Sequence, residues 1–423
     1  SDTLGSRSTA IGQSTLNAQN FTTATDTYNT AVGAFAGQSV TTGQYNTLIG
    51  GLAGDAITDA DANIAVGYGA LGANTVGSKS IAIGMEALAN QNPATASDIY
   101  NVAVGHDAGY NITTGVQNTL VGGLAGDSLT DADFNVAVGV TALDADTLGS
   151  RSTALGYAAL TAQNFTTATN TYNVAVGFQA GAAVTTGVQN TFIGGLAGDA
   201  ITASSLNTAV GYFALGTDVL GGKSVAVGYS ALALQNFTTA TDTFNTGVGY
   251  QAGANVTTGL FNTIVGGKAG DALTSGNSNV AIGMQALTAD TLGDRSVAIG
   301  LSALVAQNFT TSTDNYNVAV GYGAGASVTT GQSNTLIGGN AGDALTDSDF
   351  NTAVGMGALS SDTLGAESTA IGYLALNAAN STTATNAYNT AVGSRAGASV
   401  TTGFKNTIVG ALAGDASTTG QEN

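Results

Sequence analysis

Few residues in this chain have types and spacings that suggest chemistry, and most of those are acidic. Gly50-Gly51-Leu52-Ala53-Gly54-Asp55-Ala56-Ile57 approaches the calcium-roll nonapeptide G-G-x-G-x-D-x-U-x, with Ala53 where that motif has Gly. Asp59 and Asp61 follow, and they recur further along as Asp131 and Asp133. In the next copy those places hold Ala203 and Ser205. A calcium roll takes ligands from successive turns, so a match this widely spaced builds no ion ladder. A solvated acidic turn is the plainer reading, and metal is expected to be dispensable. Val32-Gly33-Ala34-Phe35-Ala36 fits one unit of a hexapeptide acyltransferase helix, but the spacing fails. Such an enzyme also needs a His base, and the single His here, His106, occupies a variable turn position. No Ser/His/Asp set, paired-carboxylate cleft or metal-ligand spacing is present, so no catalytic, cofactor or metal residue is assigned and an enzyme is not expected.

Other candidates fall in columns. Basic residues recur at Arg7, Lys79, Arg151, Lys223 and Arg295, with Glu367 in the sixth place. Five residues earlier stand Asp2, Asp146, Asp218, Asp290 and Asp362, with Asn74 the exception. Ion pairing between the two columns is the natural expectation; exposed pairs are each worth on the order of 0–1 kcal/mol. Aromatic residues recur as Phe21, Phe165, Phe237 and Phe309 and as Tyr28, Tyr100, Tyr172, Tyr316 and Tyr388. They are expected to fold back over the chain and seal it; a contact strip for a partner or glycan is the sharper alternative. Asn20-Phe21-Thr22 and its copies match the N-glycosylation sequon, a pattern that Asn- and Thr-rich tracts produce by chance.

The elements that position these columns follow from a strict ruler. A pentad Asn/Ser-x-x-[Ile/Val/Leu]-Gly occurs 23 times, from Ser8, Asn29, Asn46, Asn63 and Ser80 to Asn406. Spacings run 21, 17, 17, 17 and repeat, giving a 72-residue super-repeat with boundaries near 8, 80, 152, 224, 296 and 368. Units this short cannot each bury a core and must stack. The expected fold is all-β: a parallel β-solenoid, or β-roll, of about 23 rungs forming one domain over 1–423. At ~4.8 Å per rung it would span roughly 110 Å.

In Asn29-Thr30-Ala31-Val32-Gly33, strand alternation puts Thr30 and Val32 on one face and Ala31 on the other. The Ala31 position becomes large once per cycle, at Leu48, Leu120, Phe192, Ile264, Leu336 and Ile408. Both faces are apolar or tiny, so the strand is expected to be buried on one side by its own coil and on the other by a neighbouring chain. Gly ends every pentad, as at Gly194, and marks a turn or close approach. The Asn positions suit both an amide ladder and a local turn cap. The extra residues of the 21-residue rungs, in segments such as Gln19–Tyr28, are expected to protrude every ~19 Å.

Composition narrows the function. The net charge of −19 argues against a phosphate backbone as partner. No apolar window is long enough to span a bilayer. Cysteine is absent, so redox compartment is not legible. No signal segment opens the chain, which begins with Ser1 and is expected to be processed or excerpted; neither end carries a polar cap, and open edges invite end-to-end stacking.

The pentads Ser80-Ile81-Ala82-Ile83-Gly84 and Ser296-Val297-Ala298-Ile299-Gly300, each followed by x-x-Ala, resemble the head repeats of trimeric autotransporter adhesins (the YadA-type head). Units such as Asn317-Val318-Ala319-Val320-Gly321-Tyr322-Gly323-Ala324-Gly325 resemble repeats of phage tail-fibre-like and bacterial surface proteins. The resemblance covers the whole chain, although both kinds of coil here are longer than the head repeat. It implies a left-handed parallel β-roll, three chains side by side, exposed on a cell or virion surface. The expected function is a structural and adhesive extracellular fibre segment, a trimeric rod. Its partners would be its own copies and a cell-surface or glycan receptor. Two alternatives remain: a self-assembling filament or sheath, and an ice-binding solenoid. The latter needs an unbroken Thr column, which Ile64, Ile81, Val102 and Val136 interrupt.

Overall fold

A computed structural model describes residues 4–422; Asp2 of the acidic column lies outside them. The protein is all-β, with no helix among the described residues, and is a parallel β-solenoid of about 24 turns. No helix is therefore long and apolar enough to cross a membrane. The chain falls into two compact units, 1–207 and 208–423, each built from the same coil.

In the first unit the long strands run from Thr9–Ile11 to Thr191–Ile193; in the second, from Thr208–Val210 to Thr407–Val409. Each long strand is the x-x-aliphatic part of the pentad and pairs in parallel with strands one rung away. Thr30 lies opposite Thr47, Ala31 opposite Leu48 and Val32 opposite Ile49. The strand stops at Gly because the chain must turn there. Gly50 has φ +134°, and a Cβ on it would lie 2.4 Å from the carbonyl oxygen of Gly67. The 21-residue rungs add paired short strands, such as Gly149–Ser150 against Thr169–Asn170.

Ala31, Leu48, Ala65 and Ala82 point into the coil and are fully buried. The large residue in every fourth rung is accommodated by small neighbours. A Cβ on Gly37 would lie 2.7 Å from Leu48 Cδ1, and one on Gly54 2.8 Å from Leu48 Cδ2. Two of the three rungs without the large residue carry buried Leu71 or Leu88 at the corner where Gly37 and Gly54 stand.

The pentad Asn column does both jobs expected of it. Asn29 Oδ1 accepts the backbone N–H of Asn46 at 2.9 Å, and Asn46 Oδ1 accepts that of Asn63 at 3.0 Å. Asn46 Nδ2 also donates to the Ala60 carbonyl at 2.8 Å. Both ends of the amide are thereby used, so stacking order and turn closure depend on one side chain.

The Asp column five residues before the bases corrects the sequence expectation. Asp146, Asp218, Asp290 and Asp362 are interior, at 1% exposure or less, and none pairs with a base. They occupy the corner that carries Val40 or Ile57 in other rungs; Asp146, Asp218 and Asp290 face a Gln one rung later, whereas Asp362 faces Ala379. Asp290 Oδ2 accepts from Gln307 Nε2 at 2.6 Å, while Oδ1 accepts the N–H groups of Gly293 at 3.0 Å and Phe309 at 3.1 Å. Gln307 Nε2 donates to Ser296 Oγ at 2.7 Å, and its Oε1 accepts from Asn317 Nδ2 at 2.9 Å. Burial raises the Asp290 carboxyl above its ordinary value despite these donors. The interior thus alternates two apolar rungs with two polar ones.

The candidate interaction surface

The outward side of the long strands carries four side-chain columns per rung: the residue before the pentad, its second and fourth residues, and the residue after its Gly. Strand alternation sends the second and fourth outward because the first and third are held inside by the Asn ladder and the Ala/Leu core. The sequence reading placed this outer face against a neighbouring chain. Within a single chain it is partly exposed: Ile49, Ile83, Leu155 and Ile193 show 39–41% of their surface. The Thr30 column also faces outward, with Ile and Val interrupting it.

Two aromatic ladders flank the strands. After the Gly stand Tyr212, Tyr229 and Tyr250, stacked with ring centroids 5.7 and 5.5 Å apart, and Tyr157 stacks on Phe178 at 5.4 Å. Before the pentad, Tyr28 stacks on Tyr45 at 5.7 Å and Phe244 on Phe261 at 5.9 Å. The stacking turns ring faces along the ladder and leaves ring edges outward.

The bases stand in this second ladder. Their carboxylate partners are not the expected Asp residues but those that the chain reaches one turn later: Arg7 with Asp26 at 3.2 Å, Lys79 with Asp98 at 2.6 Å, Lys223 with Asp242 at 2.6 Å, and Arg295 with Asp314. Each base also lies over a ring one rung later, at 5.3 Å for Arg7 and Tyr28 and 5.1 Å for Lys223 and Phe244. The Tyr28 hydroxyl, then Asp26, raises the Arg7 pKa; for Lys79, Asp98 leads and Tyr100 follows. Where Asn170 replaces the Asp, Arg151 sits between Phe134 and Tyr172. Where Glu367 replaces the base, Asn386 Nδ2 donates to it at 2.8 Å.

The loop aromatics divide. Phe21, Phe165, Phe237 and Phe309 are buried at 4–7% exposure and seal the coil, as expected. Tyr28, Tyr100, Tyr172, Tyr316 and Tyr388 instead stand outward in the ladder, 44–52% exposed. Residues such as Thr166, Thr167 and Ala168 bulge outward, as the extra length requires.

The acidic turns act as caps. Asp61 Oδ1 accepts the N–H of Gln44 at 2.8 Å, and Asp133 Oδ1 that of Val116 at 2.8 Å. Ser205 accepts from Val188 at 3.0 Å and Asn277 from Leu260 at 2.9 Å. Any acceptor side chain serves, which explains why the column mixes Asp, Ser and Asn. Among the described residues, no three His, Asp or Glu side chains converge as metal ligands would. His106 Nδ1 meets the neighbouring carboxylate of Asp107, at 2.9 Å.

One rung of each cycle has Gly after the pentad, at Gly51, Gly123, Gly195, Gly267 and Gly339, and the last has Ala411. The missing side chain leaves notches in the ladder. One lies at Gly267, between Tyr250 and Met284; a larger one lies at Gly339, between Tyr322 and Met356. No protein-family model matches the chain, and no curated protein matches it. Solenoid architecture and surface chemistry therefore carry the functional argument.

Proposed function

We propose that the chain is a structural and adhesive segment of an extracellular fibre, a stiff solenoid that spaces and displays contact surfaces on a cell or virion. The observation behind this reading is the outer face, where aliphatic columns between aromatic ladders recur with the 72-residue period. Continuous apolar surface of this kind marks an interaction site. Its first partner is its own kind, three copies side by side as in the adhesin heads it resembles; a cell-surface or glycan receptor is the second. The exposed Thr-rich bulges beside the ladders are the natural contact points for a receptor.

Immunogold electron microscopy of the native particle tests this. Label on projecting fibres supports the reading, and label confined to the cell interior overturns it. A self-assembling filament is the second reading, favoured by the same apolar face, and would appear as free filaments unattached to any particle.

A further inference from the structure

We propose that the cleft at Gly339 binds a guanidinium group, which stacks between Tyr322 and Met356 in the place of the missing side chain and donates to Asp343. The site is separate from the fibre role and stands without it.

Two notches in the same ladder have matching walls and different floors. The notch at Gly267 lies between Tyr250 and Met284, and Lys268 lines it, so the chain there supplies its own cation. Gln251 and Gln285 flank Lys268 in the neighbouring rungs, and the notch holds only about 210 Å³. One cycle on, Gly323, Asn340 and Gly357 replace those three long side chains. The cleft at Gly339 accordingly opens to about 570 Å³, a size that suits a small ligand. Its Tyr and Met walls remain, and its cation is gone.

The carboxylate beside it has lost a partner too. In the fourth cycle Thr288 donates to Asp271. In the fifth, Asp343 lines the cleft with Ser360, and its Oδ1 is buried with no hydrogen-bond partner among the described residues. Burial raises the Asp343 carboxyl above its ordinary value, opposed by its own backbone N–H and by Asn340. A cationic donor brought to such a group restores the interactions that burial removed.

Shape selects the kind of cation. The vacant place is one rung thick, with an aromatic ring on one side and a thioether on the other. A guanidinium is flat, stacks on such walls and offers a fork of N–H donors to a carboxylate. The other ladder shows the fit. The Arg151 guanidinium fills one rung between Phe134 and Tyr172, 5.1 and 5.8 Å from the ring centres. Arg295 combines ring and carboxylate, lying over Tyr316 and paired with Asp314. A metal ion suits the cleft less well, because no three acidic or His side chains converge among the described residues. The net charge of −19 favours an organic cation over an anion. Two sources present the group: a free guanidino compound and an arginine side chain of a protein.

The chain has three methionines, Met85, Met284 and Met356, so methyl-labelled methionine gives one signal for each of the two notches and one control. Full-length protein labelled in this way is titrated with methylguanidinium and followed by nuclear magnetic resonance. The Met356 signal should shift and saturate, while Met284 and Met85 stay in place. Asp343→Asn should weaken binding at least about tenfold with circular dichroism unchanged. Asn340→Lys, which copies the fourth cycle, should close the site. A pentapeptide with a central arginine that binds more tightly than methylguanidinium assigns the site to a protein partner, and one that binds more weakly assigns it to a free compound. No shift at Met356, equal shifts at all three methionines, or unchanged affinity in Asp343→Asn overturns the site. Methylammonium binding as tightly as methylguanidinium overturns the choice of a flat cation.

Discussion

Glycine at the end of each long strand shows how tightly single residues are held. Gly122 has φ +139°, and a Cβ there would lie 2.5 Å from the carbonyl oxygen of Gly139. Gly122→Val should cost about 2–3 kcal/mol, read as a lower melting temperature and a new proteolytic cut near the rung. Gly194, φ +133°, should behave alike. Asp127 offers a test by pH. Burial, then the adjacent Asp144, raises its pKa to about 7. Between the ordinary carboxyl range near about 4 and this value, the folded chain keeps a proton that the unfolded chain releases. Its contribution is therefore fully present at the acid end, falls as pH rises through that window and levels off above it. Melting curves from pH 4 to 8 should show this slope, and Asp127→Asn should flatten it. The Gly constraint was legible because the residue never varies. The burial of Asp290 was not, because an Asp five residues before an Arg looks like a surface pair. The informative signal was Gln307, one rung on, in a corner that holds Val in other rungs.

Among the elements, the 21-residue rungs combine a buried anchor with an exposed bulge. Phe165 is 7% exposed and its backbone N–H is held by Asp146, whereas Thr166 to Ala168 are exposed. Deleting residues 166–169 removes the short strand Thr169–Asn170 but leaves the long ladder, and should cost no more than about 1–2 kcal/mol. Phe165→Ala should cost more, about 3 kcal/mol, because it opens the coil to water. Thermal melts and limited proteolysis of the two variants check the order; an equal or reversed order would mean that the ring does not seal the coil. Extra length alone predicted the bulge. It did not separate Phe165 from Tyr172, since both recur with one period, and only the direction of each side chain from the coil divides them.

For the whole molecule, the ruler specified parallel stacking in advance, because a 17-residue unit has no other way to bury its apolar positions. The outer face was half legible: two apolar faces implied a covered strand, but sequence alone could not tell which face was the coil's own. The ladder of bases and rings was hidden by its spacing, since Arg7, Asp26 and Tyr28 belong together only once the chain has gone around the coil. Contacts in such a stack are almost all between adjacent rungs, so stability is close to a sum over rungs and a lesion stays local.

The alternation of polar and apolar interior layers makes length a quantised trait. Except where Ala379 replaces the Gln after Asp362, each kind of rung has the same kind before it and the same kind after it, in a cycle of four. Removing residues 224–295, one whole cycle, restores every neighbour relation, and the shortened chain should melt within a few degrees of the parent. Removing residues 279–295, a single rung, takes Asp290 away and brings Gln307 against Leu273. That leaves a buried amide donor short of its acceptor, at about 1–3 kcal/mol, and should lower the melting temperature further than the larger excision does. Unequal recombination between copies of the gene segment would then lengthen or shorten the protein freely, one whole cycle at a time. Selection would remove the intermediate lengths, so natural variants should form a ladder of sizes with no steps between.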